Sequence, residues 1–332
     1  MGMRKMTYLD KRRRVVASLL FAVAVAVAPG PSAHGEAAVP TCMGKSATAG
    51  PDGSPGDDVI VATGDTPTVR GGDGNDLICI VDNTAFDGVQ IYAGSGNDSI
   101  LIETPTEVVV AELGPGDDSY IGSDGGDGVV AGSDDGSRDY VRTRKGDDIL
   151  ALGSGRIDAD LGKGDDEIYL YNVRRGAGVI DGGRGADSVL TGTDPGARHF
   201  RHLRVDLTSN ELAVDRARYK LTDFRDAFVL ARHVSLRGDN QPNQLQGFGC
   251  RVDLHGGAGN DSLTLPIALL VPPEYRNPDC KPRSTQYGDA GNDTLAGGDT
   301  VDVLLGGPGR DIATGNAGRD LCRAEQQRSC ER

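Results

Sequence analysis

The chain has 332 residues, enough for one extended domain or two ordinary ones. Glycine supplies 49 of them, Trp is absent and Phe and Tyr together number 15, which excludes a core built on large aromatic side chains. Forty of the 49 carboxylates are Asp, the acid of turns and oxygen-ligand metal sites rather than of exposed helices. A formal charge of −14 argues against nucleic acid as a partner, because phosphate binding needs clustered Lys and Arg.

Residues 1–35 have the pattern of a secretory signal peptide. Lys11, Arg12, Arg13 and Arg14 form a basic region, Val15 to Ala28 an apolar one, and Pro29-Gly30-Pro31 breaks the segment before a run of small residues. Fourteen apolar residues fall short of the roughly 20 needed to span a bilayer, so no membrane span is expected once the leader is cleaved. Removing residues 1–33, which hold six bases and one acid, takes the formal charge from −14 to −19. All six cysteines lie beyond this leader, which favours disulfides in a secreted chain. Of the 15 pairings that six cysteines allow, sequence proximity suggests Cys42–Cys79, Cys250–Cys280 and Cys322–Cys330.

Residues 36–197 carry a recurring turn. Full nonapeptides occur as GGDGNDLIC from Gly71 and GGRGADSVL from Gly182, and the core Gly-x-Gly-x-Asp also ends at Asp98, Asp118 and Asp166. Degenerate copies end at Asp58 and Asp148. Successive sixth-position residues Asp58, Asp76, Asp98, Asp118, Asp148, Asp166 and Asp187 are separated by 18, 22, 20, 30, 18 and 21 residues. If two nonapeptides make one coil, most of these steps are one coil with a small insertion, and this block has its strong turns along a single edge. The 30-residue step conceals a worn turn around Gly125-Gly126-Asp127. Two residues beyond each Asp stand Ile60, Ile78, Ile100, Tyr120, Leu150, Ile168 and Val189, which predicts a stacked apolar ladder inside the solenoid.

Residues 198–250 interrupt the pattern. The stretch is glycine-poor and basic, with Arg201, His202, Arg204, Arg218, Arg232 and His233 among its cations, and Leu203, Val205 and Leu207 alternate as in a strand. It is expected to form degenerate or inserted coils with a solvated outer face. The competing reading is a basic patch for an anionic cell-surface or extracellular polymer or for a protein partner.

Residues 251–332 return to the repeat. GGAGNDSLT begins at Gly256, and Gly288 to Arg323 divides into four consecutive nonapeptides whose sixth residues are Asp293, Asp302, Asp311 and Asp320. Residues 265–286, with four prolines, are expected to leave the solenoid as a loop. The chain holds seven complete Gly-x-Gly-x-Asp pentapeptides where its composition predicts about one.

The spacing has a physical logic. Six glycine-rich residues can turn tightly, because glycine reaches the left-handed region without steric cost. Such a turn directs carbonyls inward, as at Gly72, Gly74, Gly257, Gly259, Gly307 and Gly309, and adds one carboxylate, as at Asp76, Asp261 and Asp311. Calcium takes six to eight such oxygens in flexible geometry. A stack of like-placed carboxylates would repel itself unless a cation lay between the coils. Asp58, Asp148 and Asp302 belong to turns in which a consensus glycine is replaced.

These residues resemble the RTX, or haemolysin-type, calcium-binding repeat, G-G-x-G-x-D-x-U-x with U apolar. The resemblance covers roughly residues 53–190 and 236–323. It implies an all-β fold, a right-handed parallel β-roll or β-solenoid interrupted by degenerate coils, with Ca2+ as the cofactor. A Sec-type leader departs from the family's usual C-terminal export signal, and the Arg, Ala and Gly bias points to a high-GC Gram-positive source. RTX repeats often accompany enzymes, but no H-E-x-x-H or Gly-x-Ser-x-Gly motif occurs here. The chain is therefore expected to be a secreted, non-enzymatic calcium-binding protein, structural or adhesive in role. The alternative is a β-solenoid enzyme acting on polysaccharide through paired carboxylates.

Overall fold

The computed structural model describes residues 41–64, 66–83, 88–103, 108–133, 135–191, 200–265 and 282–331. The expected signal peptide lies outside them. Within them the chain is all-β, and its parallel strands wind as a β-solenoid of about 11 turns. Apart from a two-stranded pair, Thr41–Cys42 with Lys45–Ser46, and the strands within 202–222, short strands alternate between a 13-stranded and a 15-stranded sheet, each hydrogen-bonded to the strand one coil away.

The expected apolar ladder lies in the core, but it is two ladders. On the 15-stranded sheet Ile60, Ile78, Ile100 and Tyr120 pair in register, each 2 % exposed or less. On the 13-stranded sheet Leu150, Ile168 and Val189 belong to an unbroken row running Val69, Ile91, Ala111, Val129, Leu150, Ile168, Val189, Ala227, Leu245, Leu263, Leu295 and Ala313. Every member of that row is at most 1 % exposed. One methyl-bearing side chain per strand, repeated coil after coil, thus replaces the aromatic core that the composition lacks.

The single-edged reading of residues 36–197 is corrected by this topology. Asp58, Asp76, Asp98 and Asp118 stand before strands of the 15-stranded sheet, whereas Asp148, Asp166 and Asp187 stand before or open strands of the 13-stranded sheet. The 30-residue step contains a half-coil. Asp127 follows Asp118 by nine residues on the opposite edge, and Asp148 follows Asp127 by one coil of 21. In the C-terminal block both edges are used, with Asp293 and Asp311 on one and Asp302 and Asp320 on the other.

Residues 200–250 form a mixed structure that the repeat logic does not anticipate. Strands His202–Asp206, Glu211–Val214 and Ala217–Thr222 pair antiparallel, then join the parallel strands on either side. Asn210 and Asp215, at φ 59° and 49°, lie in the two tight connections. One coil therefore contributes three strands to one sheet and a single strand, Phe224–Leu230, to the other. The two extra strands add roughly 10 Å to one face, and buried Phe200, Tyr219 and Phe224 fill the interior there. Disulfides Cys42–Cys79 and Cys322–Cys330 occur near the two ends as expected. The third expected pair, Cys250–Cys280, reaches outside the described residues.

Candidate metal sites along the two edges

The twelve sequence-predicted aspartates are all buried and arranged in ladders. Ten of them share one geometry. In Asp76, Asp98, Asp118, Asp148, Asp166, Asp187, Asp261, Asp293, Asp311 and Asp320, Oδ1 accepts the main-chain N–H of the corresponding residue in the preceding coil at 2.8–3.0 Å. In the same ten residues Oδ2 is buried and has no hydrogen-bond partner. One oxygen of each carboxylate locks the coil above; the other is held ready and unsatisfied.

The remaining two, Asp58 and Asp302, differ. Oδ2 of Asp58 accepts the N–H of Ser54 at 2.6 Å, and Oδ2 of Asp302 accepts the N–H of Gly298 at 2.8 Å. Each closes on its own turn, so its second oxygen is already used. Both are turns in which a consensus glycine is missing. Asp148, whose turn also departs from the consensus, nevertheless keeps its free Oδ2.

The glycines make room for this arrangement. Gly72, Gly74, Gly257, Gly259, Gly307 and Gly309 all have positive φ, from 99° to 154°. The first glycine of the repeat serves differently: a Cβ on Gly182 or Gly256 would come within 2.7 or 2.5 Å of Oδ2 of Asp187 or Asp261. Its bare backbone is what leaves space beside the unsatisfied oxygen.

Burial strains the charge state of these groups. Loss of solvation, reinforced by neighbouring carboxylates, raises Asp98 to about 6, Asp118 and Asp148 to about 7 and Asp166 to about 8. Asp187 and Asp261 rise to about 6, and Asp76, Asp293 and Asp320 move the same way. Asp58, held by the Ser54 N–H, moves down instead.

Sequence reasoning missed several members of these ladders. Asp139 follows Asp118 in register but is capped by the N–H of Gly132 at 2.7 Å, and no glycine pattern marks it. Glu325 ends a ladder by accepting the N–H of Asp311 at 2.8 Å. An outer ladder runs beside the inner one: Oδ1 of Asp57, Asn75 and Asn97 accepts the N–H of the fifth repeat residue in the following coil. Its signal was present in the Asn-Asp and Asp-Asp dipeptides that close the turns at 75–76, 97–98 and 117–118. Inner side chains thus reach back one coil and outer ones reach forward.

The donor set fits a hard cation. Among the described residues no three His, Cys, Asp or Glu side chains converge on a common point, so an ion in these turns would draw most of its ligands from main-chain carbonyls. That is the chemistry of calcium rather than of zinc or copper.

A parallel β-roll with one poised carboxylate per turn is the architecture of a calcium-binding repeat protein. The family model for the RTX calcium-binding nonapeptide repeat (4 copies) matches residues 52–79, 253–264 and 287–322. These matches support an RTX-type calcium-binding repeat protein. No curated protein matches the chain.

Proposed function

We propose that this is a secreted, non-enzymatic protein whose ten poised aspartates bind Ca2+ and couple that binding to folding. The observation that carries the reading is the set of ten buried, unpartnered Oδ2 atoms. At about 1–3 kcal/mol for each unsatisfied buried polar atom, ten weigh as much as the whole stability of an ordinary domain, about 5–15 kcal/mol. A fold with that cost needs the oxygens either protonated or ligated; Asp98, Asp187 and Asp261, raised only to about 6, are ionised at neutral pH, and there a cation is the available remedy. Gly72, Gly74, Gly257, Gly259, Gly307 and Gly309 would contribute carbonyls from the same turns. Asp58 and Asp302 would close their turns without ligating.

The leader-like residues 1–35 and the disulfides support an extracellular setting, where calcium is plentiful and thiols stay oxidised. A calcium-stiffened solenoid there would serve a structural or adhesive role. Circular dichroism of the oxidised chain tests the coupling. Little β signal in chelator and a cooperative gain with calcium are expected; an identical spectrum under both conditions would refute it.

A further inference from the structure

We propose that the outer face of the 15-stranded sheet near the inserted meander binds an anionic polysaccharide, one bearing sulfate or carboxylate groups. The argument starts from register. His202 pairs with His233, and His233 with Arg251. The pairing of Val252 with Ser284 sets Arg283 beside Arg251, and Arg283 pairs with Val301. These positions face outward and are exposed, and the two imidazoles stack with centroids 4.9 Å apart. At the usual strand spacing of about 4.8 Å, the four basic side chains form a straight row roughly 14 Å long.

Arg251 and Arg283 set like charges directly opposite on neighbouring strands, which is destabilising, and elsewhere on this sheet the chain avoids the problem. Arg138 and Arg156 both meet Asp158, and Arg142 meets Asp160. Among the described residues, only Arg251 in the basic row has such a carboxylate, Asp253 at 3.0 Å. Arg283 and the adjacent Arg232 have no ion-pair partner among the described residues. Arg232, His233, Arg251 and Arg283 instead rim a shallow concavity floored by Pro282 and Val301, with no acid among the described residues of its lining. Stability does not explain the row; an anion lying along it would.

The surroundings select the class of anion. Acids flank the row, with Glu211, Asp215 and Asp253 lining the neighbouring groove, and the chain as a whole carries −14. A wide polyanion such as a duplex or an anionic membrane would meet that negative charge within a Debye length of about 8 Å. A narrow, extended chain can place its charges on the row alone, and its sugar rings can rest on the apolar floor. The site uses no carboxylate of the calcium ladders, so its failure would leave the calcium reading untouched.

The test is surface plasmon resonance of the calcium-loaded full chain on immobilised dextran sulfate, with unsubstituted dextran, duplex DNA and phosphatidylserine vesicles in parallel. Saturable binding to dextran sulfate alone is expected. The combined substitution Arg232→Ser, Arg251→Ser, Arg283→Ser should weaken it about tenfold or more, because three charge-assisted contacts are lost. Arg142→Ser with Arg156→Ser should leave it unchanged. Should the triple variant lose its calcium-dependent circular dichroism, Arg283→Ser alone replaces it, with several-fold weakening expected. Absence of dextran sulfate binding, equal loss in the Arg142 and Arg156 variant, insensitivity to the row substitutions, or equally tight binding to DNA or vesicles would overturn the proposal.

Discussion

The main-chain N–H of Asp58 donates to Oδ1 of Asp76 across one coil at 2.9 Å, while Oδ2 of Asp76 lies buried without a partner. That division of labour recurs in nine further residues. It separates what an aspartate does for the backbone from what it offers to a cation, and the two roles respond differently to substitution.

Asp166→Asn keeps the oxygen that accepts the Asp148 N–H but replaces the unsatisfied carboxylate oxygen with an amide. In chelator at pH 9, above the value of about 8 to which burial raises Asp166, the variant should melt several degrees above the parent, because a buried charge has been removed. In saturating calcium it should melt below the parent. Thermal denaturation under both conditions checks the crossing; a shift of the same sign in both would contradict the assignment.

Asp302 and Asp311 stand in adjacent repeats yet should behave oppositely. Asp311→Ala removes a free oxygen and should lower calcium stoichiometry. Asp302→Ala removes the acceptor for the N–H of Gly298 and the partner of the Ser284 hydroxyl at 2.7 Å. It should cost about 1–3 kcal/mol of stability with stoichiometry unchanged. Equilibrium binding beside chemical denaturation distinguishes the two.

The raised carboxyls give the metal-free protein an inverted pH response. Asp98, Asp118, Asp148 and Asp166 hold protons in the fold up to about 6, 7, 7 and 8, whereas in the unfolded chain they ionise near 3.9. The stability they contribute is full below about pH 4 and falls as pH rises through 6 to 8. Calcium takes the ionised form, so affinity should climb over that interval and binding should release protons. Titration at pH 7 in two buffers of different ionisation enthalpy measures the release. Heats independent of the buffer would argue against it.

Much of this was legible in the sequence because one nonapeptide encodes both turn and core. The Asp at the sixth position and the apolar residue two places later marked twelve buried carboxylates and the ladders of Ile60 and Leu150. Glycine spacing alone hid the change of edge between Asp118 and Asp148: Asp127 belongs to a turn whose glycines are displaced, and Asp139 to one without the pattern. It also hid the capping of Asp58 and Asp302, which depends on whether a turn folds back onto its own carboxylate. The antiparallel meander at 202–222 was missed as such because Leu203, Val205 and Leu207 alternate identically in a parallel or an antiparallel strand.

Isothermal calorimetry of calcium binding to the oxidised full chain, beside a variant with Asp98, Asp118 and Asp166 changed to Asn, tests the central claim most directly. The account predicts cooperative uptake of several ions by the parent and a clear loss of stoichiometry in the variant. Equal stoichiometry and heat in the two proteins would contradict it.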